Sequence, residues 1–67
     1  MIKFTYTETA LLLMFCEDNR KDTIDKLDDY RCNVRSHEMA LLIGGTIEKL
    51  ESLSDDDFKT IEKYLAL

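Results

Sequence analysis

The run Ala10-Leu11-Leu12-Leu13-Met14-Phe15-Cys16 limits what this chain can become more than any other feature. A helix that is apolar nearly all round is either central in a bundle or shared with a second subunit. Seven residues fall far short of the roughly 20 needed to cross a bilayer, so protein rather than lipid has to cover them. Thr5 and Glu8 stand just ahead of the run in the Thr-x-x-Glu spacing of a capping box. That spacing predicts a helix over Tyr6–Glu17, with residues 1–5 as a short extended lead-in. The lead-in, Ile2-Lys3-Phe4-Thr5-Tyr6, alternates apolar and polar like a half-buried strand. Nothing later in the chain alternates well enough to pair with it.

Three further helices are expected. Asp18-Asn19-Arg20-Lys21 reads as a polar turn, after which Asp22 or Thr23 caps a helix to about Asn33, with Asp25 favourable in its first turn. Ile24, Leu27, Tyr30 or Arg31, and Val34 form its narrow apolar stripe, and Asp25, Lys26, Asp28 and Asp29 its wet face. Ser36 caps the next helix, His37 to about Ser52, where Met39, Leu42, Ile43, Thr46, Ile47, Leu50 and Leu53 recur at helical spacing. Gly44-Gly45 lies inside it. Each Gly costs about 1 kcal/mol against Ala in a helix interior, and the pair also suits a type I′ hairpin turn. Helix formers before it and a 3.6 period that continues through Ile47 and Leu50 favour an unbroken or slightly kinked helix. Close approach of another helix and a local kink remain equal explanations of the pair.

Ser54 caps the last helix, with Asp55, Asp56 and Asp57 facing the positive end of its dipole. Phe58, Ile61, Tyr64 and Leu65 line one side, and Leu53 with Phe58 forms a hydrophobic staple. The expected fold is all-α: one domain over residues 1–67, a compact bundle of three to four short helices with a short extended N-terminal segment. Its expected core is Leu11, Leu12, Phe15, Ile24, Leu27, Leu42, Ile43, Ile47, Leu50, Phe58 and Ile61.

Size then bears on function. Below roughly 70–80 residues a single core seldom supplies more than about 3–5 kcal/mol, and small domains add disulfides, a metal, regular helix packing or self-association. This chain has 67 residues and two cysteines. Cys16 and Cys32 allow at most one bridge, and without a signal-peptide pattern at the N-terminus the chain is expected to be cytoplasmic, its thiols reduced. Cys16, Cys32 and His37 are too scattered for a zinc site, which uses close ligand pairs. A Cys32–His37 nucleophile pair would need a pocket and oxyanion donors. The Asp55-Asp56-Asp57 run lacks the Gly and the terminal Glu of a calcium loop, and Gly44-Gly45 lacks the Lys-Ser or Lys-Thr of a phosphate loop. No catalytic, cofactor or metal residues are expected. With nine Lys and Arg against 14 Asp and Glu, a net charge of −5 disfavours nucleic acid.

Three stretches carry a family resemblance: Lys3-Phe4-Thr5-Tyr6-Thr7-Glu8, then Thr23-Ile24-Asp25-Lys26-Leu27, then Lys49-Leu50 followed by Leu53-Ser54-Asp55-Asp56-Asp57-Phe58. In these the chain resembles small accessory proteins encoded on conjugative transposons of Gram-positive gut bacteria. The resemblance implies a mobile-element setting and no active residues. The ending Lys63-Tyr64-Leu65-Ala66-Leu67 suits a longer last helix than that group implies.

The expected function is a non-catalytic protein-interaction module, binding a protein partner or itself as a homodimer, with no membrane and no small-molecule substrate. A small helix-turn-helix regulator is the alternative. Ile2, Phe4, Tyr6, Leu11 and Met14 are the candidate interface, with two N-terminal segments pairing as antiparallel strands across a two-fold axis. The Phe4→Asp variant should then lose association, followed by sedimentation. If helicity and association state both survive, the N-terminal interface is wrong.

Overall fold

Hydrogen-bonding side chains placed just ahead of each apolar stretch set where the helices begin. The computed structural model describes residues 3–65, without the side chains of Tyr64 and Leu65. Those residues form α1 (Tyr6–Phe15), α2 (Arg20–Asn33), α3 (His37–Glu51) and α4 (Asp55–Leu65). The all-α expectation holds. Thr5 closes the capping box on α1: its hydroxyl accepts from the Glu8 N–H at 3.2 Å, and its own N–H donates to Glu8 Oε1 at 2.8 Å. Ser36 accepts from the Met39 N–H at 3.2 Å, and Ser54 from the Asp57 N–H at 3.1 Å. Each satisfies a backbone donor that a helix start leaves free.

Two boundaries differ from expectation. Helix α1 stops at Phe15, because Cys16 turns extended and the Glu17 N–H donates to the buried Thr23 hydroxyl at 2.9 Å instead of continuing the helix. Helix α2 starts earlier, at Arg20, with Asn19 as its cap accepting from the Asp22 N–H at 2.8 Å. The expected polar turn over residues 18–21 is thus half helix. A cation in a first turn opposes the helix dipole. Arg20 escapes this by reaching across the molecule: Nη1 donates to the carbonyls of Leu50 (3.1 Å) and Glu51 (3.4 Å), and Nε to Asp55 Oδ1 at 3.0 Å. Its charge sits at the negative end of α3 and beside the start of α4.

Helix α3 is the spine. Its buried face is Ile43, Thr46, Ile47 and Leu50, and against it pack Leu11 and Leu12 of α1, Leu27 of α2 and Phe58 of α4. Leu53, expected in the α3 stripe and as half of the staple but not named in the core, completes this core with Phe58. Phe15, Ile24, Leu42 and Ile61 are partly buried around it. The expected positions of Tyr64 and Leu65 on the apolar side of α4 lie outside the described side chains.

Gly44 and Gly45 lie inside an unbroken α3, so the hairpin is excluded. Neither has a positive φ. A methyl group added at Gly44 would lie 3.7 Å from Arg31 Nη1, and one at Gly45 3.8 Å from Glu8 Oε2, both ordinary contact distances. Within one copy, therefore, nothing requires glycine at position 44. Gly44→Ala should stabilise the protein by about 0.5–1 kcal/mol through helix propensity. The melting temperature should rise by roughly 2–8 °C in a thermal circular-dichroism scan. A fall would mean that something approaches Gly44 more closely than Arg31 does, as at a seam between copies.

Candidate functional site

Helix α1 carries apolar side chains on two opposite faces. One face holds Glu8, Leu11 and Leu12, all buried, and Phe15, whose ring centroid lies 4.8 Å from that of Tyr30. The other holds Tyr6, Ala10, Leu13 and Met14, at the i, i+4, i+7, i+8 spacing of a single helical stripe. Tyr6 is 92% exposed, Met14 69% and Leu13 58%. The only charged residue of α1 is Glu8, on the inner side, so the outward stripe carries no charge.

A partly buried ion pair joins the inward face of α1 to α3. Glu8 is 5% exposed, and Lys49 of α3 donates from Nζ to its Oε1 at 2.6 Å. The same ammonium donates to the Lys3 carbonyl at 3.1 Å and lies 5.8 Å from the centre of the Phe4 ring. One lysine thereby holds the end of the lead-in, the first turn of α1 and α3 together. Burial pushes the Glu8 carboxyl toward a higher pKa, but hydrogen bonds from Lys49 and Thr5 and the Lys49 charge outweigh it, leaving it below the usual glutamate range.

The sequence-derived interface residues divide. Tyr6 and Met14 share the outward stripe, whereas Leu11 is 5% exposed and belongs to the core. Phe4 is half-buried against that core, so loss of helicity in Phe4→Asp would report a lost core contact rather than a lost interface. Ile2 lies outside the described residues. The Lys3 carbonyl and the Thr5 N–H are used within the chain, and there is no strand among the described residues. Sequence reasoning missed Leu13 and Ala10 as members of the stripe, although counting at helical spacing from Tyr6 finds both.

Elsewhere the surface offers shallow ground. A groove of about 460 Å³ runs between the starts of α2 and α4, with Arg20 and Asp55 already paired across it. Another of about 530 Å³ runs along α3 past Ala40, Leu41, Gly44 and Glu48. Cys16 and Cys32 are free thiols. Burial, then the nearby carboxylates of Glu62 and Glu17, push the Cys16 thiol up, so little of it is nucleophilic thiolate at neutral pH. Among the described residues no three His, Cys, Asp or Glu side chains gather to hold a metal ion, and no helix is long and apolar enough to cross a membrane.

Fold and surface together define a small all-α bundle that, among the described residues, carries an exposed, uncharged face on α1. Residues 4–64 match the family described as "putative transposon-transfer assisting protein" (TTRAP), and the chain belongs to that family. This agrees with the resemblance to mobile-element accessory proteins in the sequence. No curated protein and no solved structure matches the chain.

The lowered Glu8 pKa has a sign that can be checked. A carboxylate whose pKa is depressed by folding contributes stability that is fully present above its unfolded pKa and disappears as pH falls through the folded value. The urea-unfolding free energy should hold above about pH 5 and fall below about pH 4. Glu8→Gln should be less stable than the parent at pH 7 and should show a shallower acid fall. Equal slopes in the two proteins would remove Glu8 from the account.

Proposed function

We propose that this protein is a non-catalytic interaction module that assists transposon transfer from the cytoplasm by binding protein, with a second copy of itself as first partner. The observation that carries this reading is the uncharged apolar stripe of α1. Burial of such surface drives association at about 25 cal/mol per Å², and a 67-residue chain gains stability from a partner that extends its core. The chemistry elsewhere supports binding over catalysis: the thiol of Cys16 is disfavoured as a nucleophile, and in the groove between the starts of α2 and α4 the Arg20 guanidinium is already taken by Asp55.

Family membership supports the transfer setting without naming a reaction. The helix-turn-helix alternative draws little from the surface. Arg20, Lys26, Arg31 and Lys49, four of the nine basic side chains, are engaged by Asp55, Glu17, Asp28 and Glu8. Phosphate binding would have to compete with those pairs.

Sedimentation equilibrium over a wide concentration range, with helicity followed by circular dichroism on the same samples, tests the reading. A reversible dimer is the expected result. A helical monomer at every concentration would end self-association as the function. Binding to duplex DNA that weakens steeply with salt would replace the reading with the regulator.

A further inference from the structure

Helix α4 is held differently from the other three. Among the described residues α1, α2 and α3 pack mutually, whereas α4 comes close to them at few points. Of its described side chains Phe58 is buried, Ile61 and Glu62 are half-buried and the rest are exposed. Phe58 thus enters a core otherwise built from α1, α2, α3 and Leu53. A second tie is the pair of Asp55 with Arg20, at 3.0 Å and open to solvent on the Asp55 side. Segments with few buried apolar contacts open at a lower free energy than the molecule as a whole.

The chain also supplies a pivot and something to cover. Leu53 is buried and its N–H donates to the Leu50 carbonyl at 3.1 Å, so it belongs with α3, whereas Ser54 caps α4. Cys16, just beyond the end of α1, is half-buried against the core. Glu62 of α4 stands close enough for its charge to act on that thiol, and with burial it holds the proton there.

We propose that α4 is a hinged lid, turning as one unit with its cap Ser54 about the Leu53–Ser54 junction while α1, α2 and α3 stay folded, and baring Cys16 and the seat of Phe58. This goes beyond the self-association reading and is independent of the outward face of α1. The two holds differ in kind. Withdrawing Phe58 exposes an apolar ring to water and sets the depth of the closed state. The Arg20–Asp55 pair, screened by salt, adjusts it slightly. A lid held mainly by one side chain is open in a small fraction of molecules, and anything that meets only the open state shifts that fraction.

Thiol labelling of Cys16 tests the lid in the full chain carrying Cys32→Ser, which removes the exposed thiol of α2. Native-state hydrogen exchange is followed on the same protein, both in urea below the unfolding transition. Cys16 should react slowly, at a rate set by the open fraction, and with a shallower urea dependence than global unfolding. The amides of α4 should exchange with that same dependence, while those of α1 and α3 stay protected. Asp55→Asn should speed labelling roughly two- to fivefold, and Phe58→Ala about a hundredfold or more. If circular dichroism shows Phe58→Ala unfolded, the Asp55→Asn rate and the parent's urea dependence decide. Labelling with the full urea dependence of global unfolding would overturn the lid, since Cys16 would then open only with the whole molecule. Amides of α1 that open together with Cys16 would overturn it by making the end of α1 the moving part. Labelling as fast as that of a free thiol would equally overturn it, because α4 would then cover nothing at Cys16.

Discussion

The contact between Glu8 and Lys49 decides how α1 is rotated about its own axis. With Leu11, Leu12 and Phe15 on one side and Tyr6, Leu13 and Met14 on the other, hydrophobicity distinguishes the two faces only weakly. Bulk favours the first set, because the second has Ala10 at its centre. The polar contribution is directional. The buried Glu8 carboxylate needs a partner, and in this rotation of α1 it meets the partly exposed Lys49 ammonium. Buried ion pairs add little net stability, since desolvation cancels much of their attraction, but they can fix register. Here the register is rotational, and it leaves one apolar face of α1 outside.

A second long-range contact places the ends of three helices. The Arg20 guanidinium meets the carbonyl end of α3 and the first residue of α4 while standing in the first turn of α2. Its pairing with Asp55, 79% exposed, adds only about 0.2–1 kcal/mol. More follows from satisfying carbonyls that a helix end leaves without partners. A single side chain thus offsets an unfavourable charge position in α2 with a favourable one at α3. The buried Thr23 acts similarly over a shorter range, drawing the Glu17 N–H out of α1 and accepting it at the start of α2.

These contacts explain what could be read in the sequence. Caps are local, so Thr5, Ser36 and Ser54 gave correct helix starts, and the 3.6 period through Gly44-Gly45 gave an unbroken α3. Asn19 is not recognisable as a cap because Arg20 and Lys21 follow it, and the offsetting contact of Arg20 lies 30 residues away at Leu50. Burial of Glu8 was hidden for the same reason, its partner being 41 residues distant. The outward face of α1 was legible only in part. Tyr6 and Met14 are picked out and Leu11 is assigned to the core, but with little contrast between the faces Leu11 is also assigned to the interface and Leu13 is left out of it.

Charge is distributed over this molecule in a way that separates two kinds of recognition. Helix α2 carries carboxylates and cations in close alternation and α4 opens on three carboxylates, and contacts made there would be steered by charge and weakened by salt. The outward face of α1 is neutral, so association there depends on concentration and apolar burial alone. On the reading proposed above, a copy of the chain takes the neutral face and leaves the charged surfaces of both subunits open. A homodimer built this way would present two copies of the mixed-charge α2 surface related by one axis. Any partner bearing two matching sites would gain from engaging both at once, with an effective concentration set by their fixed separation. Self-association would then be the means by which a very small protein grips something larger, rather than an end in itself.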